Sequence, residues 1–142
     1  MTWDDVRRLS LAGVTFGPHS VTHPLLSRVN AEQSQREIAE SWRRVRAEAG
    51  VGAVPIFCYP NGEAADYGRR EEEFVAESGM RAAVSTSPGY ASPRHLSAAA
   101  PALRYGLPRF AYTDDRTAFI QCAGGMERAK MAFRRALRPN PV

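Results

Sequence analysis

The run Val54-Pro55-Ile56-Phe57-Cys58-Tyr59 constrains this chain more than any other segment. It is apolar almost throughout and lacks the alternation of a strand with one wet face, so it reads as a parallel strand covered on both faces. Pro60-Asn61-Gly62 bounds it as a turn. Parallel strands need crossover connections, and helix-patterned segments lie on either side. Thr2 followed by Asp5 makes a capping-box-like start to a helix through about residue 11, with Trp3, Val6 and Leu9 as its apolar stripe and Gly13 as its end. Val14-Thr15-Phe16 reads as a short strand broken at Gly17-Pro18. Asn30 caps a helix over 31–49 that places Ile38, Trp42, Val45 and Ala49 on one face. A helix over 65–78 and a strand over 82–86 follow, then a long loop over 87–106. A strand over 107–112, a helix capped by Thr113 or Asp114 through Cys122, and a last basic helix to about Leu137 complete the order. Helices alternating with apolar strands predict an α/β fold with a parallel sheet.

Charge divides the chain. The formal excess of +4 lies entirely in residues 126–142, where Arg128, Lys130, Arg134, Arg135 and Arg138 face Glu127 alone. Residues 1–125 are therefore a neutral body and 126–142 a basic C-terminal helix and tail. A nucleic-acid-binding body would carry a basic face interleaved with aromatics, so nucleic acid is excluded as a partner. No apolar run reaches the roughly 18 residues of a transmembrane helix. Met1-Thr2-Trp3-Asp4-Asp5 has neither the basic nor the apolar stretch of a signal peptide, so the chain as it stands reads as cytoplasmic. The two cysteines, Cys58 and Cys122, lie far apart without CxxC spacing, which fits reduced core thiols rather than a zinc ribbon.

His19 and His23 carry the chemistry. They lie four residues apart directly after the first short strand, and ligands gather at the C-terminal ends of strands in α/β folds. Two imidazoles there can share one ion; zinc and similar borderline ions favour such nitrogen donors. Ser20 and Thr22 are placed to orient the rings.

The string Thr2-Trp3 … Gly13-Val14-Thr15-Phe16-Gly17-Pro18-His19-Ser20-Val21-Thr22-His23-Pro24-Leu25-Leu26-Ser27 resembles the polysaccharide deacetylase (NodB-homology) family and its H-[S/T]-x-x-H-P-x-L-S motif. Phe57-Cys58-Tyr59-Pro60-Asn61-Gly62 is similar to the family's groove motif, and Leu107-Pro108-Arg109-Phe110 to its C-terminal strand. The resemblance implies a partial distorted (β/α) barrel with parallel strands over residues 1–125. It also implies a hydrolase of non-peptide carbon–nitrogen bonds that deacetylates N-acetylated polysaccharide with a divalent metal, zinc first and cobalt or nickel as alternatives. On that reading His19 and His23 hold the metal, the backbone N–H of Asn61 is the oxyanion donor, and Tyr59, Pro60 and Gly62 shape the substrate groove.

The family's opening Asp-Asp motif, which supplies a base and the third ligand, does not precede His19 here. Asp4 and Asp5 are either ligands or first-turn residues favoured by the helix dipole. His95 is either the catalytic acid or an incidental loop histidine, and Asp114-Asp115 are either site residues or caps. Cys58 stands where the family has a groove arginine. An upstream segment or a second chain would then complete the barrel. The alternative is a catalytically inactive, truncated relative that binds carbohydrate or a partner chain. Family members are often exported, which leaves the compartment open.

Overall fold

The computed structural model describes residues 1–136, without the side chains at 131 and 134–136; the expected end of the last helix at Leu137, Arg138 and the rest of the tail lie outside the described residues. Helix α1 spans Trp3–Leu11. The Thr2 hydroxyl accepts the Asp5 N–H at 3.2 Å, and the Asp5 carboxylate accepts the Thr2 N–H at 2.9 Å, a reciprocal cap that satisfies two otherwise orphaned donors. Gly13, at φ +92°, ends the helix. Thr2→Ala should cost about 1 kcal/mol, read as a lower urea midpoint at unchanged slope.

The expected strand over 14–16 contracts to a single parallel bridge between Phe16 and Ala53. Gly17 then passes so close to the next strand that a Cβ there would lie 2.6 Å from the Ile56 carbonyl oxygen. Helix α2 covers Ala31–Ala49; Asn30 accepts the Gln33 N–H at 2.8 Å. Its buried face carries Ile38 and Trp42, as the spacing predicts, together with Ser34, Glu37 and Ser41.

Strands β1 (Ile56–Cys58) and β2 (Ala82–Val84) pair in parallel, with Phe57 opposite Ala83. Strand β1 is shorter than the apolar run predicts because Pro55 has no N–H to donate. Its burial also differs. Phe57 is fully buried against the helices, whereas Ile56, on the other face, stays 39% exposed. Helix α3 spans Arg69–Glu77 and begins later than expected. The Asp66 carboxylate instead closes a turn by accepting the Glu63 N–H at 2.9 Å, and Glu71 accepts the Gly68 N–H at 2.9 Å.

The loop over 87–106 holds two 3-10 turns, Pro93–Leu96 and Pro101–Gly106. The strand expected over 107–112 reduces to one parallel bridge, Val84 with Leu107. Pro108 cannot extend it as a donor. Helices α4 (Arg116–Ala123) and α5 (Met126–Ala136) follow, separated by Gly124 and by Gly125 at φ +79°.

Phe16, β1, β2 and Leu107 thus lie side by side, parallel and in chain order. The fold is α/β with a parallel sheet, as expected, but the sheet is small and open. Leu26, Ile38, Trp42, Phe57, Tyr59, Val75, Met80 and Ala83 form one core between α2, α3 and the strands.

Candidate metal centre

Pro18 is the last sheet-like residue before the histidines: its carbonyl accepts the Cys58 N–H at 2.9 Å. The next residue turns its ring back onto the same strand. His19 Nδ1 lies 2.7 Å from the Cys58 carbonyl oxygen. A carbonyl only accepts, so the Nδ1 proton points at it and the Nε2 lone pair is the coordinating position left over. The His23 ring stands edge-on to the His19 ring, with centroids 4.8 Å apart and an interplanar angle of 82°.

Backbone conformation brings the two rings together. Ser20 and His23 both adopt left-handed conformations, at φ +63° and +59°. The Ser20 hydroxyl accepts the His23 N–H at 3.0 Å. Glu37 of α2 holds the middle of the loop: one carboxylate oxygen accepts the Val21 and Thr22 N–H groups at 2.7 and 2.8 Å, and the other accepts the Thr22 hydroxyl at 2.7 Å. Ser20 and Thr22 therefore fix the loop's backbone rather than the rings, and the ring of His19 is oriented by the Cys58 carbonyl. Glu37 is the residue that sequence reasoning missed. Its signal was a carboxylate flanked by Ser34 and Ser41 on an otherwise apolar helix face.

Burial alone would raise the Glu37 carboxyl, but the Thr22 hydroxyl, the Thr22 and Val21 amides and nearby Arg36 outweigh it and hold it below the usual carboxylate range. A depressed folded-state value contributes stability above the unfolded value near 4.5, and that contribution is lost as pH falls through the lower folded value. Glu37→Gln should therefore flatten the acid limb of the stability curve. Urea unfolding across pH 3–6 checks this, and parallel limbs for parent and variant would contradict it.

The turn after β1 holds Asn61 at φ +56° with its side chain exposed, followed by Gly62 at φ +76°. The Gly62 carbonyl accepts the Thr86 N–H at 2.9 Å, which ties this turn to the end of β2. Tyr59 and Pro60 do not line an open groove. Tyr59 is 1% exposed, its hydroxyl donates to the Tyr105 carbonyl at 2.9 Å, and its ring stacks on Tyr67 with centroids 3.8 Å apart. Burial pushes that phenol far above its ordinary value. Pro60 is buried beside it, and Gly62 is closed in against Thr86. These three residues support the turn from beneath. The cleft next to the histidines, of about 320 Å³, lies instead between α1 and α2 and is bounded by Trp3, His19, Val21, Ser41 and Arg44.

His95 does not join the pair. Its Nδ1 lies 2.9 Å from both the amide nitrogen and the hydroxyl of Ser92, and its neighbour Leu96 borders a cavity at the N-terminal ends of the strands. Asp4 pairs with Arg7 and Asp5 caps α1, both in the first turn, while Asp115, rather than the expected Thr113 or Asp114, caps α4 by accepting the Thr117 and Ala118 N–H groups. Cys58 and Cys122 are free thiols, each half-buried. Burial raises the Cys58 thiol, partly offset by Arg109. Among the described residues no three His, Cys, Asp or Glu side chains converge on one point. The two rings thus offer imidazole nitrogens of the kind that borderline divalent ions favour.

Comparison with known proteins adds the family. No curated protein matches the chain. A solved structure, the Streptococcus pyogenes deacetylase PplD in complex with acetate, shares the fold at a TM-score of 0.66 and 22% identity, over 81% of this chain and 46% of that one. The chain therefore spans about half the length of that relative. The polysaccharide deacetylase family model matches residues 1–83, a stretch that runs from the cap of α1 through both histidines and β1 into β2, and the chain belongs to that family.

Proposed function

We propose that this chain supplies the two-histidine half of a divalent-metal centre in a hydrolase that removes acetyl groups from N-acetylated polysaccharide. One observation carries the reading: His19 is locked by its Nδ1–H on the Cys58 carbonyl, so that Nε2 and the neighbouring ring of His23 present nitrogen donors from a preset loop. Zinc is the ion that best suits two imidazoles, with cobalt or nickel as substitutes. Such an ion, when bound, supplies Lewis acidity toward a water and toward an amide carbonyl. Asn61 presents its backbone N–H from a left-handed turn beyond the strand that anchors His19, a suitable position for an oxyanion donor.

A third ligand and a base would come from an upstream segment or a second chain, completing the partial barrel that the family resemblance implies. The sheet edge at Phe16 suits such an addition. Phe16 spends its N–H and carbonyl on Gly52 and Val54, so the alternate groups of Thr15 and Gly17 face the other way, where they have no partner among the described residues. The second reading is a non-catalytic relative that keeps a carbohydrate or partner-binding role, and the lack of a third converging ligand among the described residues favours it.

Two measurements separate these. Zinc, cobalt and nickel titrations of the purified protein should show one site per chain, and no binding of any of the three would overturn the metal half-site. Deacetylation of a chitooligosaccharide, without and with an added strand-forming segment bearing an Asp-Asp pair, tests catalysis. Metal binding with no activity in either arm favours the non-catalytic relative.

A further inference from the structure

At the opposite end of the strands from His19, a cavity of about 490 Å³ opens where β1 and β2 begin. Its charged lining consists of Arg81 and Arg104, and none of its lining residues is acidic. Arg81 precedes β2 and is pinned by its N–H on the Pro55 carbonyl at 2.8 Å. Arg104 enters from the 3-10 turn Pro101–Gly106, and its Nε is buried with no hydrogen-bond partner. That Nε is shut off from solvent, so a ligand in the cavity would meet the terminal nitrogens of this group, which keeps its charge at any ordinary pH. The remaining wall is apolar, from Ile56, Met80 and Leu96, with Tyr105 fixed by its hydroxyl on the Met80 carbonyl at 3.4 Å.

We propose that this cavity binds a small organic oxyanion, a carboxylate or phosphate on an apolar body. The two guanidinium groups take the oxyanion, for which their planar forks are suited, and Ile56, Met80 and Leu96 take the apolar part. The volume falls within the range of small-molecule sites. The site is independent of the metal half-site, because it uses the other end of the sheet and none of the same side chains.

The test is titration of the full chain with phenyl phosphate, benzoate, inorganic phosphate and benzyl alcohol, followed by calorimetry and by the arginine Nε–Hε signals in NMR. Phenyl phosphate or benzoate should bind about tenfold more tightly than inorganic phosphate, and benzyl alcohol should not bind. The preferred acid then distinguishes a phosphate ligand from a carboxylate one. The Arg104 Nε–Hε signal should move on binding while that of Arg128, on α5, does not. Arg104→Gln and Arg81→Gln should each weaken binding about tenfold or more. Arg81 is exposed, so its variant keeps the test sound even if Arg104→Gln fails to fold. The proposal is overturned by no binding of either acid at about 1 mM. Equal binding of parent and Arg81→Gln, or a response at Arg128 with none at Arg104 (an adventitious ion only), overturns it as well.

Discussion

His19→Ala should abolish stoichiometric zinc binding, lowering affinity by about two orders of magnitude or more, which corresponds to about 3 kcal/mol. The proposed site has two protein ligands, so removing one would leave a lone imidazole no better than any surface histidine. His23→Ala should do the same, and His95→Ala should change nothing, because His95 is engaged with Ser92 away from the pair. The readout is competition for zinc against a fluorescent chelator, supported by melting curves. Saturating zinc at about 100 times its dissociation constant stabilises a binding-competent protein by about 2.7 kcal/mol, and neither variant should show that gain. Unchanged zinc content in either variant would refute the assignment. Loss of the His19 ring also removes the hydrogen bond to Cys58, worth about 1 kcal/mol, so a small loss of stability without metal is expected in His19→Ala.

The second large effect is on stability. Phe57→Ala should cost about 3–5 kcal/mol, because the ring is fully buried in the core cluster and lies edge-on to Tyr59 with centroids 5.3 Å apart. For a domain whose total stability is about 5–15 kcal/mol, that leaves a large unfolded population. Ile56→Ala, one residue earlier, is the informative control. Its side chain faces the other side of the strand and is 39% exposed, so about 1 kcal/mol or less is expected. Urea midpoints for the two variants measure the contrast. Equal costs would mean that the other face of β1 is covered in solution, as it would be if chains associate through it.

Helices α1 and α2 and their caps were legible because they are local. Thr2, Asp5 and Asn30 each act on an amide within three residues, and the stripe on α2 is set by helical period alone. The His19–His23 pair was legible for the same reason, as spacing plus position after a strand. Strand extent was less legible, since it depends on partners. The apolar run over 54–59 carries no mark showing that only one of its faces would be fully buried, and the run over 107–112 none showing that only Leu107 would pair. The burial of Tyr59 beneath its turn depends on Tyr67 and Tyr105, which lie far along the chain. Glu37 was hidden likewise, because its amide partners lie 15 and 16 residues back across a loop. His95 shows the converse limit: a histidine in a Ser/Pro-rich loop looks available until the fold carries it to the wrong end of the sheet.

The left-handed backbone at Ser20, His23 and Asn61 sets stability against readiness. A side chain in that region costs about 1 kcal/mol relative to glycine. That cost is present in the folded chain before any ligand arrives, so the loop has no such expense left to meet on binding. Selection for thermal stability alone would drift these three positions toward glycine, and at His23 that drift would remove a proposed metal donor. That two of the three sit inside the histidine motif places the trade-off in that loop.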